Sequence, residues 1–122
     1  MRTGHPRDIS ERTFEFAKRV VALCRTEKGM DVAARVIFGQ LVRAGTSVGA
    51  NVEEAQASHS RADFANKCSI ACKEARETRY WMRLLAASGI VSASSLADLL
   101  SECDELVAIL TTIVKKAKQP VP

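Results

Sequence analysis

The chain has 122 residues, of which 47% are apolar but only 5% aromatic, and it carries a formal charge of +4. That length corresponds to one domain able to bury a core without staples, and the composition suits closely packed helices rather than a sheet sandwich. No apolar run approaches the roughly 18 residues of a membrane span, and a mildly basic balance permits an anionic partner without demanding one.

Residues 1–7 read as a flexible lead. The polar run MRTGHPRD, residues 1–8, has no apolar stretch after it, so no secretory leader is expected. Asp8, three residues before Glu11, has the spacing of a capping box and predicts the start of helix 1. Ile9, Phe16, Val20 and Leu23 form its apolar stripe, and Gly29 is its expected stop. Asp31 is the expected cap of helix 2. One stripe of that helix is apolar: Ile37, Leu41, Ala44, Val48, Val52 and Ala55. Beside it runs a polar stripe of Gln40, Arg43, Ser47, Asn51 and Glu54. Gly45 and Gly49 sit inside the helix although interior glycine costs about 1 kcal/mol relative to alanine, so helix propensity did not select them. Small residues of this kind let neighbouring backbones approach closely.

Ser58-His59-Ser60 is the predicted turn, with Ser60 and Asp63 as the next capping pair. Helix 3 then runs to about Ser88. Phe64, Cys68, Ala71, Ala75, Thr78, Met82 and Leu85 keep the alternating four-and-three spacing of a coiled-coil seam. Gly89 ends the helix, with Ile90 placed for the usual hydrophobic contact. Ser95 with Asp98 is the expected start of helix 4, whose seam is Leu96, Leu99, Cys103, Leu106, Leu110, Ile113 and Ala117. Lys115, Lys116 and Lys118 suit the negative end of its dipole. Residues 119–122 read as a flexible tail. Four helices joined by short turns predict an all-α, antiparallel up-down-up-down four-helix bundle spanning residues 1–122 as one domain.

Placing helices 2 and 3 antiparallel about His59 brings Arg43 opposite Glu74 and Gln40 opposite Glu77. Ser47 and Asn51 then face the stretch from Lys67 to Ala71. These six residues, Gln40, Arg43, Ser47, Asn51, Glu74 and Glu77, are read as a partly buried structural network that fixes register. Breaking a buried charge pair typically costs about 3–5 kcal/mol. The alternative is that both faces are simply solvated. On the outer side of helix 3, Lys73, Arg76, Tyr80 and Arg83 share one stripe with Arg79 adjacent. Cations interleaved with an aromatic are suited to tracking phosphates and stacking a base. The same residue types also suit a subunit interface or an ordinary solvated face.

Nothing in the chain has the pattern of an active site. A di-metal bundle needs Glu-x-x-His on two helices, and the two histidines, His5 and His59, fall outside the predicted helices. Cys68 and Cys72 have a spacing that suits two zinc ligands, but no further pair completes a set. With Cys24 and Cys103 they read as reduced core thiols of a cytosolic protein. Ser47 and Ser69 have no helical histidine as base. No catalytic residue, metal or other cofactor is expected.

Three separated segments carry a resemblance. They are Gln40 to Ala55 (QLVRAGTSVGANVEEA), Ser60 to Phe64 (SRADF) and Lys73 to Trp81 (KEARETRYW), preceded by Glu11 to Ala17 (ERTFEFA). Together they resemble the bacterial four-helix bundle family that includes proteins encoded in intervening sequences of 23S ribosomal RNA genes. Ala44 and Val52 stand where larger or differently branched residues are common in that family. The resemblance implies an up-and-down bundle without catalytic residues and, in some members, ring-shaped homopentamers with a basic surface. A related accessory protein of diversity-generating retroelements binds nucleic acid. Arg43, Asn51, Glu53, Glu74 and Glu77 match the family motif and are read as structural or subunit-contact positions. The expectation is a cytoplasmic, non-enzymatic, self-associating bundle that binds structured RNA or DNA through basic surface. A protein-interaction scaffold without nucleic acid is the alternative.

Overall fold

The computed structural model describes residues 6–26 and 29–120, with side chains from Ile9 to Arg25 and from Gly29 to Pro120. Four helices follow one another: α1 (Pro6–Thr26), α2 (Val32–Gln56), α3 (Arg61–Ala87) and α4 (Ala93–Ala117). Each packs on the next, α4 returns to α1 over a shorter stretch, and the diagonal pairs stay apart. The result is the up-down-up-down bundle that the short turns predict, with no strand among the described residues.

The helix ends follow local chemistry. The Asp31 carboxylate accepts from the Ala34 backbone N–H at 2.8 Å, and the Ser60 hydroxyl oxygen accepts from the Asp63 N–H at 3.0 Å. At the end of α3, Gly89 takes a φ of +73, a conformation that glycine adopts without Cβ strain. Its N–H donates to Ala86 O and that of Ile90 to Leu85 O, which closes two otherwise orphaned carbonyls.

Two starts differ from the sequence expectation. Helix α1 begins at Pro6 rather than at the Asp8 capping pair. Proline fits a first turn because its missing N–H has no intrahelical acceptor there. Of the expected lead, residues 1–5 lie outside the described residues, as do residues 121 and 122 of the expected tail. Helix α4 begins at Ala93 with Ser92 as its cap, one turn before the expected Ser95–Asp98 pair. The Ser92 oxygen accepts from the Ser95 N–H at 3.3 Å, and the two hydroxyls lie 2.7 Å apart. Ser92 thus supplies the acceptor first, and Ser95 becomes a residue of the first turn.

The core is built from the expected seams. Leu41, Ala44, Val48, Val52 and Ala55 of α2 are buried, as are α3 from Cys68 through Leu85 at seam spacing and Leu96, Leu99, Cys103, Leu106 and Leu110 of α4. Phe64, Ile113 and Ala117, at one end of the bundle, are half-buried. Helix α2 also buries Phe38 and Gly45, outside its predicted stripe. It packs against α1 and α3 at once, so its buried arc is wider than a single seam.

Gly45 and Gly49 serve the α1 side of that arc. A Cβ at Gly45 would lie 2.8 Å from a Val20 methyl, and one at Gly49 would lie 3.1 Å from the Thr13 backbone oxygen. Across the opposite seam, Arg12 of α1 holds α4. Its Nε donates to Glu102 at 3.0 Å, and one terminal nitrogen donates to Glu102 at 2.7 Å and to Glu105 at 2.9 Å. Arg61 ties the far end of α4 to the start of α3 by donating to the Lys116 and Ala117 carbonyls, both at 2.9 Å.

Candidate nucleic-acid interface

Helix α3 turns one face to the core, and its outer face carries the basic stripe. Lys73, Arg76 and Arg83 are exposed there, and Tyr80 between them is 55% exposed. Lys73 and Arg83 have no ion pair among the described residues. Arg76 reaches back only to the Cys72 sulfur, at 3.3 Å. Arg79 behaves differently from the other three cations: it turns toward α4 and pairs with Asp104 at 3.1 Å. The free part of the stripe is therefore Lys73, Arg76, Tyr80 and Arg83, with Arg79 on its edge as a contact between helices.

On the α2 side of the stripe lies the polar network. Arg43 donates to Glu74 at 3.2 Å and makes a closer contact with Glu77. Gln40 was expected to meet Glu77, but its side-chain oxygen instead accepts from Arg43 Nε at 3.2 Å. The Glu77 oxygen is already shared by Arg43 and by the Trp81 indole N–H, which donates to it at 3.1 Å. Ser47 and Asn51 turn back onto their own helix, donating to the Arg43 and Ser47 carbonyls.

Burial in the network is uneven. Glu74 and Glu77 are 13% and 30% exposed, but Arg43 is 46% exposed. The arrangement is a half-solvated clamp rather than a buried ion pair. The Trp81 N–H and then Arg43 hold the Glu77 carboxyl below its usual range, and the Glu77 contact in turn raises the Arg43 guanidinium.

The Trp81 ring continues this chain. Its centroid lies 5.1 Å from that of Tyr80, with the planes at 75°, an edge-to-face contact. Five side chains thus run in series from α3 across to α2 and back to the outer face of α3: Glu74, Arg43, Glu77, Trp81 and Tyr80. Sequence reasoning placed the first three together but did not bring in Trp81. The i,i+4 spacing of Glu77 and Trp81 was the available signal. It also missed the Arg12–Glu102–Glu105 clasp, whose partners lie 90 or more positions apart.

The remaining reactive groups are packed away. None of the four cysteines forms a disulfide, and three of them, Cys68, Cys72 and Cys103, are buried. Burial pushes the Cys68 thiol up to about 11 and the Cys103 thiol up to about 12, so both stay protonated at neutral pH. Among the described residues, no group of three or more His, Cys, Asp or Glu is placed to hold a metal ion. No helix among them is long and apolar enough to cross a membrane.

A second surface lies on the α1–α2 side. Phe14 is 64% exposed beside a shallow groove formed by Ser10, Ala17, Thr46, Gly49 and Ala50. The thin side chains of this stretch open that groove.

Comparison with known proteins matches residues 7–112 to a family model described as 23S rRNA-intervening sequence protein. A solved structure of a protein with unknown function from the S23 ribosomal protein family of Bacteroides thetaiotaomicron superposes with a TM-score of 0.80. It is 36% identical, over 88% of this chain and 98% of its own. No curated protein matches the chain.

Proposed function

The chain belongs to the 23S rRNA-intervening sequence protein family, and on that premise we propose that it is a non-enzymatic, self-associating cytoplasmic protein that binds RNA or DNA through the outer face of α3. The observation that carries this reading is the line of Lys73, Arg76 and Arg83 around an exposed Tyr80; none of the three cations forms an ion pair among the described residues, and only Lys73 acts on a nearby carboxylate, that of Glu77. Unpaired cations in a row are the feature that releases counterions when phosphates bind. Buried thiols at Cys68, Cys72 and Cys103, none in a disulfide, are in keeping with a reducing compartment.

Self-association is supported by the α1–α2 surface. Phe14 projects next to a groove of small residues. Glu11 and Glu53 lie at one end of that surface and Arg25 at the other, with Lys18 and Glu15 paired at 3.5 Å between them. Two copies packed head to tail there would match opposite charges. In a homopentameric ring, of the kind the family resemblance implies, one weak basic stripe would be repeated five times and act as a multivalent surface.

The test is fluorescence anisotropy with labelled RNA across a salt series, beside light scattering of the protein alone. Three phosphate contacts to a single strand give a slope of log K against log salt of about −2 per subunit. Lys73→Glu/Arg76→Glu/Arg83→Glu protein, shown folded by circular dichroism, is expected to lose binding and slope together. Absence of RNA or DNA binding at low salt would sink the nucleic-acid reading. Phe14→Glu is expected to shift an oligomer toward monomer without unfolding it, and a parent protein that is already monomeric at micromolar concentration would sink the self-association reading. The exposed Phe14 surface also supports a second reading, a protein-interaction scaffold, which gains if RNA and DNA fail to bind.

A further inference from the structure

We propose that Glu74, Arg43, Glu77 and Trp81 form a brace that presents Tyr80 as a stacking platform for an unpaired base, which makes the partner a single-stranded nucleic acid rather than a duplex. The inference rests on the reading that the outer face of α3 contacts nucleic acid, and it names the kind of nucleic acid and the residue that meets the base.

Three observations carry it. First, Tyr80 is held from one side only. In an edge-to-face pair, whichever ring supplies the edge, at least one face of Tyr80 is left uncovered by Trp81. The tyrosine is 55% exposed while Trp81 is half-buried, so the open surface of the pair belongs to Tyr80.

Second, the ring that supports Tyr80 is itself fixed. The Trp81 indole N–H donates to Glu77 at 3.1 Å, Glu77 is clamped by Arg43, and Arg43 is held by Glu74 at 3.2 Å and by Gln40 at 3.2 Å. A surface tyrosine ordinarily samples several rotamers, and stacking a base would freeze them at an entropic cost. A platform already ordered before binding avoids much of that cost.

Third, the cationic track is narrow. Lys73, Arg76 and Arg83 extend about 15 Å along α3 at the helical rise. Carboxylates border them on both sides, Glu74 and Glu77 toward α2 and Asp104 toward α4. One phosphate backbone fits between these borders, whereas a duplex would lay its second strand over them. In a duplex the base faces are also already stacked on one another and closed to a tyrosine. Only an unpaired base offers a free face.

The experiment compares a fluorescein-labelled oligouridine with an RNA duplex of equal length, titrated with the full chain by anisotropy across a salt series. Tyr80→Ala is expected to weaken oligouridine binding roughly 5- to 150-fold, the range of one base stacked on an aromatic, while the salt slope stays unchanged because the phosphate contacts remain. Tyr80→Phe keeps the affinity. Trp81 is the only tryptophan of the chain, so its emission reports any change at the adjoining ring when oligouridine binds.

Glu77→Ala weakens oligouridine binding several-fold in the parent and has no further effect in the Tyr80→Ala background, which separates a brace from a general loss of stability. Should Glu77→Ala fail to fold, Trp81→Phe keeps an aromatic ring while removing the N–H donor together with the second ring of the indole. Oligouridine affinity unchanged in Tyr80→Ala but lost in Arg76→Glu/Arg83→Glu would overturn the platform and leave the nucleic-acid reading standing. Duplex bound at least as tightly as oligouridine and equally sensitive to Tyr80→Ala would overturn the choice of partner. Full additivity of Glu77→Ala with Tyr80→Ala would overturn the brace. A parent protein that binds neither nucleic acid at low salt would overturn this inference together with the reading beneath it.

Discussion

Substituting alanine for two glycines of the same helix should move stability in opposite directions. Gly39 and Gly45 both lie inside α2, so alanine gains about 1 kcal/mol of helix propensity at either. At Gly39 a new Cβ meets nothing within 4 Å, and the whole gain is kept. At Gly45 it lies 2.8, 3.0 and 3.2 Å from three carbons of Val20. Val20 is fully buried, and a β-branched side chain on a helix has one strongly preferred rotamer, so it has little room to yield. Overpacking of this kind costs about 1–3 kcal/mol, which leaves Gly45→Ala between neutral and about 2 kcal/mol destabilised.

The two variants should therefore differ by about 1–3 kcal/mol, or roughly 4–12 °C in Tm for a chain of this size. Thermal and urea unfolding followed by circular dichroism at 222 nm reads the difference directly. Placing both changes in a Val20→Ala background supplies the control: with the blocking methyls gone, Gly45→Ala should become as favourable as Gly39→Ala. Gly45→Ala melting at or above Gly39→Ala in the parent would refute the claim that close approach of α1, rather than chance, accounts for glycine at position 45.

Two further outcomes follow from the ion pairs. Arg12→Ala should cost about 1–3 kcal/mol, because it strands Glu102, only 22% exposed, at the seam where α1 meets α4 over the shortest stretch. Hydrogen exchange should quicken first in α1 and the facing part of α4, and uniform protection would argue against Arg12 as the clasp. The Glu77 carboxyl is held below its usual range first by the Trp81 N–H and then by Arg43. Its contribution is therefore fully present above the unfolded carboxylate pKa, near about 4.3, and is lost as pH falls through the lower folded value. Glu77→Gln should accordingly flatten the acid limb of Tm against pH below about 4.5, with little change in slope near neutrality; an acid limb identical to that of the parent would remove Glu77 from the account.

How far the sequence spoke depended on the range of each interaction. The seams of α3 and α4 were legible because a periodic pattern needs no knowledge of what it packs against. The caps at Asp31 and Ser60 were legible because acceptor and donor lie three residues apart. Ser92 was missed because three serines in a row of four offer the same chemistry, and only the path of the chain decides which one caps. Gln40 was paired with Glu77 by register alone. Register says which residues are opposite, but not that Trp81 and Arg43 have already filled the Glu77 oxygen. The Arg12 clasp was out of reach for a plainer reason, since closure of α1 on α4 depends on all three turns at once.

The exposure of Arg43 changes what its network is for. The sequence suggested a partly buried network, and a fully buried pair would be worth several kcal/mol when broken. A guanidinium 46% exposed to water belongs to a class where a pair is worth about 0–1 kcal/mol. Five side chains held in series for so little stability are poorly explained by stability. The chain also does not end in the core. It begins at Glu74, crosses to α2 and returns to α3 at Glu77 and Trp81, and its last member is the exposed Tyr80 in the middle of the cationic row. A network whose energetic yield is small, and whose terminus is an exposed aromatic, is better accounted for by orientation. The two faces of α2 then divide the work. Its glycines admit α1 closely enough to seal the core, while its arginine sets the geometry of a surface on the neighbouring helix.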